Sequence, residues 1–169
     1  MKKTITTIAM LGMLLPGMAQ NVKTTFQTSS HWKPTIDVRA DAVMVYGTGS
    51  SPQISFQERV DSWRKQGYIT HFMTGIAWGG YSDYFTGKWD GKQHMDEGQK
   101  DMKGDTILHN PGTPYIVPTL NYLKYFKETQ IKPVIDAGIR EIFLEEPEFW
   151  AFAGYSESFK REWQDYYGF

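Results

Sequence analysis

The chain is predicted to be an α/β protein with a parallel sheet, because segments typical of buried strands alternate with segments typical of helices. Apolar or β-rich runs at 42–48, 68–78 and 139–146 each end where glycine, aromatic or charged residues begin, and helical patterns follow the first and the last of them. Alternating units of this kind form parallel sheets through right-handed crossovers. An open doubly wound sheet and a (β/α)8 barrel both fit this order.

The N-terminus predicts a secretory signal peptide over residues 1–19. Lys2 and Lys3 precede a short apolar stretch, and a Gly-Met-Ala motif provides the small residues expected before a cleavage site. The apolar stretch is too short to span a membrane, which takes about 20 apolar residues. We therefore expect a secreted or periplasmic protein that has no membrane attachment after cleavage.

The composition narrows the possible functions. The chain has no cysteine, so disulfides, thiolate catalysis and Zn–Cys sites are excluded. Loss of the two lysines in the signal peptide would reduce the 18 basic side chains to 16 against 19 acidic ones. This balance provides no basic surface for nucleic acid. Aromatic residues make up 15% of the chain, and their rings either fill a core or form flat surfaces for apolar ligand faces.

Residues 20–40 are predicted to be an extended lead-in, because most of this segment is polar and aperiodic. A regular pattern occupies 41–169 and includes a helix over 55–67 with a capping box formed by Ser55 and Glu58. The apolar face of this helix consists of Phe56, Val60 and Trp63.

The second half of the chain predicts two more helices and two strands. We expect a strand over 114–119, a helix over 120–138 that is kinked at Pro133, and a fourth strand over 139–146. The last helix follows Ser156, a suitable N-cap residue. The predicted buried faces are Leu123, Phe126, Val134 and Ala137 in the first helix, and Phe159, Trp163 and Tyr166 in the second.

Three carboxylates lie at and just after the carboxyl end of the predicted fourth strand, in the segment "IFLEEPEFW". They are Glu145, Glu146 and Glu148. Reactive groups of parallel α/β proteins lie at the carboxyl ends of strands, where half-burial and mutual repulsion can raise a carboxyl pKa toward neutrality. A general acid needs such a pKa. The alternative is a solvated acidic turn, which is how charge runs usually behave.

The pair Glu146-Pro147 after a fourth strand resembles the Asn-Glu-Pro segment of the retaining (β/α)8 glycoside hydrolases, the clan that includes cellulases and microbial β-galactosidases. The segment "YSESFKREWQDYYG" is also similar to the helix after that site in secreted β-galactosidase-like barrels. This resemblance implies that Glu146 is the catalytic acid/base and that the nucleophile follows a seventh strand. Glu145 stands where the clan has an asparagine that binds the sugar 2-hydroxyl.

The resemblance also implies a partial (β/α)8 TIM barrel. A complete barrel needs about 250 residues, so 41–169 would be the N-terminal half, about four β/α units of a longer protein.

Residues 79–113 show no periodicity, which predicts a functional loop or lid. Aromatic rings alternate there with polar residues, a composition that suits a sugar subsite. The predicted substrate-binding residues are Trp78, Tyr81, Asp83, Tyr84, Trp89, Asp90 and His94, together with Glu145, Glu148 and Trp150. The alternative is a loop folded on its own aromatic residues.

These features predict a secreted glycoside hydrolase that acts on a poly- or oligosaccharide by carboxylate acid/base catalysis. The chemistry needs no cofactor, and the histidines and carboxylates lack recognised metal-ligand spacing. A non-catalytic secreted carbohydrate-binding protein that uses the same aromatic loop is the alternative. A third possibility is that half a barrel, with its exposed sheet edges, is inactive by itself. The sequence leaves the sugar, the anomer and the oligomeric state open.

Overall fold

The computed structural model describes residues 21–49, 54–79, 81–146 and 148–169. The predicted signal peptide lies outside these ranges and stays a prediction. The strands are β1 (Thr25–Thr28), β2 (Ala42–Tyr46), β3 (Ile69–Gly75), β4 (Leu108–Asn110), β5 (Thr113–Pro114) and β6 (Ile142–Glu145). The helices are α1 (Phe56–Arg64), α2 (Ser82–Phe85), α3 (Leu120–Phe126), α4 (Lys132–Asp136) and α5 (Glu157–Tyr167). A π-helical segment, Lys127–Ile131, joins α3 to α4.

Four strands form a parallel sheet in the order β1-β2-β3-β6. The register places Val45 beside Phe72 and Phe72 beside Ile142. The prediction of an α/β protein with a parallel sheet is therefore confirmed. Three of the four predicted strands are β2, β3 and β6, each with shorter bounds than the sequence pattern indicated.

One face of this sheet carries the main hydrophobic core. Val43, Val45 and Phe72 pack there against α1 and α4. The capping box of α1 forms as predicted, and its residue Trp63 is fully buried. Because side chains alternate along a strand, Met44, Tyr46, Met73 and Phe143 point to the opposite face. These four side chains are partly exposed, whereas Ala42 and His71 on the same face are buried, so the opposite face is covered only in part.

The segment predicted as an extended lead-in contributes a strand to the sheet. β1 pairs with β2 in parallel, and the ring of Phe26 packs edge-on against Trp63 at 5.4 Å. The core therefore extends before residue 41, the boundary that the sequence suggested. A four-residue strand with one aromatic ring is too short to show a clear sequence pattern.

The predicted strand over 114–119 is wrong. The strand found here is Thr113–Pro114, which forms an antiparallel hairpin with β4 outside the parallel sheet, and Ile116 adds an isolated antiparallel bridge to Gly98. Pro114 and Pro118 cannot donate backbone hydrogen bonds, which removes two rungs of any ladder. The amides between them bond to the long loop instead, as with the Val117 amide and the Glu97 carbonyl oxygen at 2.8 Å.

The predicted helix over 120–138 is interrupted by the π-helical segment. Phe126, Val134 and Ala137 are buried as expected, but Leu123 is 45% exposed. A π turn adds a residue and rotates the helix face that precedes it. The buried face of α3 consequently consists of Tyr122, Tyr125 and Phe126.

The last helix begins after Ser156 as predicted, and the Ser156 hydroxyl accepts the Phe159 amide. Its predicted buried face is wrong, since Trp163 is 43% and Tyr166 is 80% exposed. The rings of Phe159, Trp163 and Tyr167 pack on one another instead. No helix within the described ranges is long and apolar enough to cross a membrane.

Candidate active site at the carboxyl ends of the strands

The carboxyl ends of β2, β3 and β6 meet beside a cavity of about 500 Å³. Gly75 pairs with Glu145 at the end of the sheet, and the Ile76 amide donates to the Glu145 carbonyl oxygen at 3.1 Å. Three predicted substrate-binding residues, Trp78, Tyr81 and Asp83, line the cavity. The strand ends and part of the long loop therefore form one region.

Gly75 and Gly79 shape the backbone at this cavity. A side chain on Gly75 would lie 2.8 Å from the Trp78 carbonyl oxygen, so only glycine lets the chain fold back there. Gly79 has a φ of +143°, which favours glycine. These two positions turn the Trp78 ring over the end of β3.

Glu145 is partly buried at the end of β6 and lies close to Tyr46 on β2. Burial and the Glu145 carboxylate raise the pKa of Tyr46 to about 12. The Tyr46 hydroxyl consequently keeps its proton and can donate it to the carboxylate in a hydrogen bond. Tyr46 also lines the 500 Å³ cavity, so this pair connects the cavity to the acidic segment.

Glu146 has an unusual backbone conformation. Its φ is +46°, in the left-handed region that costs a non-glycine residue roughly 1–2 kcal/mol. The Glu146 carbonyl oxygen accepts the Glu148 amide at 2.7 Å, which closes a tight turn. Strained positions of this kind cluster at functional sites. The Glu146 side chain is exposed, so the predicted half-burial holds for Glu145 and Glu148 but not for Glu146.

Four aromatic residues connect the cavity to the acidic segment, and we call them the aromatic line: Trp78, His109, Tyr115 and Trp150. The Trp78 and His109 rings stack with centroids 4.3 Å apart. The Tyr115 ring lies nearly perpendicular to the rings of His109 and Trp150, with centroids 5.5 Å and 5.7 Å away. Burial, the Glu148 carboxylate as a hydrogen-bond acceptor, and the negative charges of Glu148 and then Glu146 raise the pKa of Tyr115. Both carboxylates therefore lie near the middle of the aromatic line.

Gln99 holds the acidic segment in place. Its side chain is fully buried, and its Nε2 donates to the carbonyl oxygens of Ile116 at 3.0 Å and Glu148 at 2.8 Å. Its Oε1 accepts the Trp150 amide at 3.3 Å. Sequence reasoning missed Gln99, because a glutamine in a polar loop has no pattern that marks it as buried. The only local signal is its position in the long aperiodic loop.

Three other predicted residues, Tyr84, Trp89 and His94, lie in a second group together with Tyr122 and Tyr125. We call these five residues the buried cluster. The Tyr84 and His94 rings stack with centroids 4.2 Å apart, and both residues are buried. Their ring faces are covered, so this packing gives no support to the predicted sugar contacts of Tyr84 and His94, which stay predictions. The loop is folded on its own aromatic residues here, which was the alternative interpretation.

A buried carboxylate fixes this cluster. Glu97 accepts hydrogen bonds from the hydroxyls of Tyr84 and Thr119 and from the Asn121 amide nitrogen, the last at 3.0 Å. His94 Nδ1 is 3.5 Å from Glu97, and its Nε2 is 3.1 Å from Asp90. Burial of a charge is tolerated only with such partners. Glu97 was not among the predicted site residues, and its role is structural.

The side chains of Trp89, Asp90 and Asp83 already have hydrogen-bond partners in or near this cluster. The Trp89 indole donates to Glu128 at 3.0 Å, and Asp90 bonds to His94. Asp83 accepts the Tyr125 hydroxyl at 2.5 Å, although it also lines the cavity. Among the described residues, no group of three histidine or carboxylate side chains could hold a metal ion.

No family model, curated protein or solved structure matches the chain.

Proposed function

We propose that the chain is part of a secreted glycoside hydrolase in which Glu146 is the acid/base. The observation that carries this proposal is the strained position of Glu146 after β6, in a segment whose carboxylates Glu146 and Glu148 lie near Tyr115 in the middle of the aromatic line. Carboxylates beside exposed aromatic rings suit a sugar site, because the rings provide apolar faces and the carboxylates bind hydroxyls or transfer protons.

The sheet supports a barrel architecture for this enzyme. Its four parallel strands follow the chain order, and α1 and α4 pack on the same face. Doubly wound sheets are covered by helices on both faces, whereas a barrel has its helices outside and side chains filling the interior. The partial exposure of Met73 and Phe143 fits an interior face. We propose that the sheet is half of a (β/α)8 barrel.

Retaining hydrolysis needs a second carboxyl group about 5–5.5 Å from the acid/base. Glu145 is partly buried beside Tyr46 at the end of β6, whereas Glu146 follows the strand and is exposed, so they make a poor pair. The resemblance assigns the nucleophile to a seventh strand, beyond the four strands of this sheet. In this mechanism Glu146 protonates the leaving oxygen and then deprotonates the attacking water.

The proposal is tested by Glu146→Gln in the full-length protein, assayed on a panel of nitrophenyl glycosides of both anomers. We expect kcat to fall about 10²- to 10⁴-fold, because deglycosylation loses its general base, and the limb of the pH profile that reports the acid/base to disappear. A nitrophenolate leaves without protonation, so kcat/KM on these substrates should change less. Asp165→Asn, an exposed carboxylate on α5, is the matched control and should keep wild-type kinetics. A Glu146→Gln enzyme with wild-type rate and pH profile would exclude Glu146 as the acid/base.

A second candidate is a carbohydrate-binding protein without catalysis. It is favoured by the rings of Trp150 and Phe152, which lie 23° from parallel and are 39% and 55% exposed. Wild-type protein that binds oligosaccharides but hydrolyses none of the glycosides would support this candidate.

A further inference from the structure

A smaller, apolar cavity of about 270 Å³ lies beside the candidate active site. Ile76 and Ala77 line it, whereas Gly75 and Trp78, on either side of them in the chain, line the larger cavity. The rest of its wall is largely apolar and comes from residues of α3, from 116–119 and from Phe149. The two cavities therefore use successive residues after β3 but differ in chemistry.

Glu148 contributes a carboxylate to this apolar wall. Its Oε2 is buried and has no hydrogen-bond partner among the described residues. A buried carboxylate oxygen without a donor is unfavourable. The Glu148 carbonyl oxygen accepts a hydrogen bond from the buried Gln99, so the backbone is held where the side chain meets the cavity. The Glu148 carboxylate is thus an acceptor group in an otherwise largely apolar wall.

We propose that this cavity binds a small apolar group that carries a hydrogen-bond donor, with the Glu148 carboxylate as the acceptor. An ammonium or hydroxyl group on an aromatic ring has this chemistry, because a carboxylate accepts such donors and repels another carboxylate. An apolar cavity of about 150 Å³ is enough to hold a benzene ring. The 270 Å³ cavity therefore has room for one ring with a short polar substituent.

Solvent can reach the cavity. Leu120 and Leu123 on its α3 side are 74% and 45% exposed, and Phe149 on the other side is 38% exposed. A ligand can therefore enter without unfolding α3. This site shares Glu148 with the proposed hydrolase site but uses neither Glu146 nor the larger cavity, so the two proposals can fail separately.

Four probes of similar size test the proposal on the full-length protein: benzylamine, benzyl alcohol, toluene and benzoate. Their dissociation constants are measured by ligand-observed NMR. We expect benzylamine to bind at least about tenfold more tightly than toluene, benzyl alcohol to lie between them, and benzoate to bind weakest. Equal affinity for all four probes would overturn the proposal, as would tightest binding of benzoate.

Two variants localise the binding. Glu148→Gln should reduce the preference for benzylamine over toluene to less than about threefold and relieve the exclusion of benzoate. Leu123→Trp should weaken all four probes by narrowing the entrance, while Ile135→Trp, at a similarly exposed position on α4, should leave them unchanged. Unchanged benzylamine binding in both Glu148→Gln and Leu123→Trp would place the probes elsewhere and overturn the proposal.

Glu146→Gln separates this site from the proposed function. We expect that variant to bind benzylamine within about twofold of wild type even where glycoside hydrolysis is lost. Loss of benzylamine binding in Glu146→Gln would contradict an independent site and assign the probes to the catalytic region.

Discussion

The buried cluster and the aromatic line contain nearly the same stacked pair in two different surroundings. Tyr84 on His94 and Trp78 on His109 have centroid distances of 4.2 and 4.3 Å and interplanar angles of 10° and 13°. In the buried cluster, the Tyr84 hydroxyl donates to Glu97. In the aromatic line, the Trp78 indole nitrogen is buried without a partner among the described residues.

The comparison teaches that ring geometry does not distinguish a core from a binding site. The difference lies in whether the neighbouring polar groups are already paired. Glu97 has several hydrogen-bond donors around it, whereas Glu148 Oε2, near the aromatic line, has none among the described residues. A ligand can supply the missing hydrogen-bond partner of an unpaired group beside an exposed ring, which stabilises the complex. A group that is already paired has no such bond to gain. We therefore propose that the buried cluster contributes stability and that the aromatic line binds ligand.

The largest expected effect is on the stability of the buried cluster. Glu97→Gln replaces an acceptor oxygen by an NH2 group, which faces the hydroxyls of Tyr84 and Thr119. We expect the free energy of unfolding to fall by about 3 kcal/mol, because buried donors lose their acceptor. Urea denaturation measures this change. Asp165→Asn, which is exposed on α5, should change it by less than about 0.5 kcal/mol, and an equal loss in both variants would show that Glu97 has no special role.

A pair of ring variants should then separate the two regions. Trp150→Ala removes a ring that is 39% exposed and should weaken oligosaccharide binding about tenfold, with little loss of stability. Tyr84→Phe keeps the stack but removes the hydroxyl that Glu97 accepts, so it should cost about 1 kcal/mol of stability and leave binding unchanged. Calorimetric titration and thermal unfolding of both variants provide the readouts. Loss of stability in Trp150→Ala together with loss of binding in Tyr84→Phe would contradict the roles given to the two regions.

The smallest expected effect is a shift in the titration of Tyr46. Its pKa of about 12 in the folded protein lies above the ordinary value of 10, so Tyr46 holds its proton more tightly when the chain is folded. Its contribution to stability is therefore complete below pH 10 and is lost as the pH rises to about 12. Glu145→Gln removes one cause of the raised pKa but leaves burial, the larger cause.

Tyrosinate absorbance measures this change. The difference between the wild-type and Glu145→Gln titrations should correspond to one tyrosine that ionises at lower pH in the variant. Glu157→Gln, an exposed carboxylate on α5, should give the wild-type curve. Identical curves for wild type and Glu145→Gln would remove the contact between Glu145 and Tyr46 from the site.

The parts of the fold that the sequence predicts are those with local signals. The capping box of α1 and the apolar runs of β2 and β3 depend on neighbouring residues, so their patterns are legible in the chain. β1 was not predicted as a strand of the sheet, because its main stabilising contact is a single ring that packs on Trp63, about 37 positions further along the chain. The strand expected over 114–119 was wrong because its amides bond to the long loop, a tertiary effect that overrides β propensity.

The candidate site shows the same division. The acidic segment lies at the end of β6, and Trp78 and Asp83 line the cavity beyond the end of β3. Both positions follow from chain order in a parallel sheet. Which rings of the long loop face solvent could not be predicted, because that choice depends on the buried Glu97 and Gln99. Tyr84 and Trp78 are both aromatic residues in similar local sequence, and only their tertiary contacts show that Tyr84 is buried and Trp78 is partly exposed.

The central assignment, Glu146 as the acid/base, is tested most directly by chemical rescue of Glu146→Gln with azide on a nitrophenyl glycoside. Azide needs no general base to attack the glycosyl-enzyme, so it can replace the step that Glu146 would assist. We expect azide to restore the rate of Glu146→Gln by at least about tenfold and to yield a glycosyl azide, with no effect on Asp165→Asn. A Glu146→Gln enzyme that is impaired but is not accelerated by azide, and forms no glycosyl azide, would contradict the assignment.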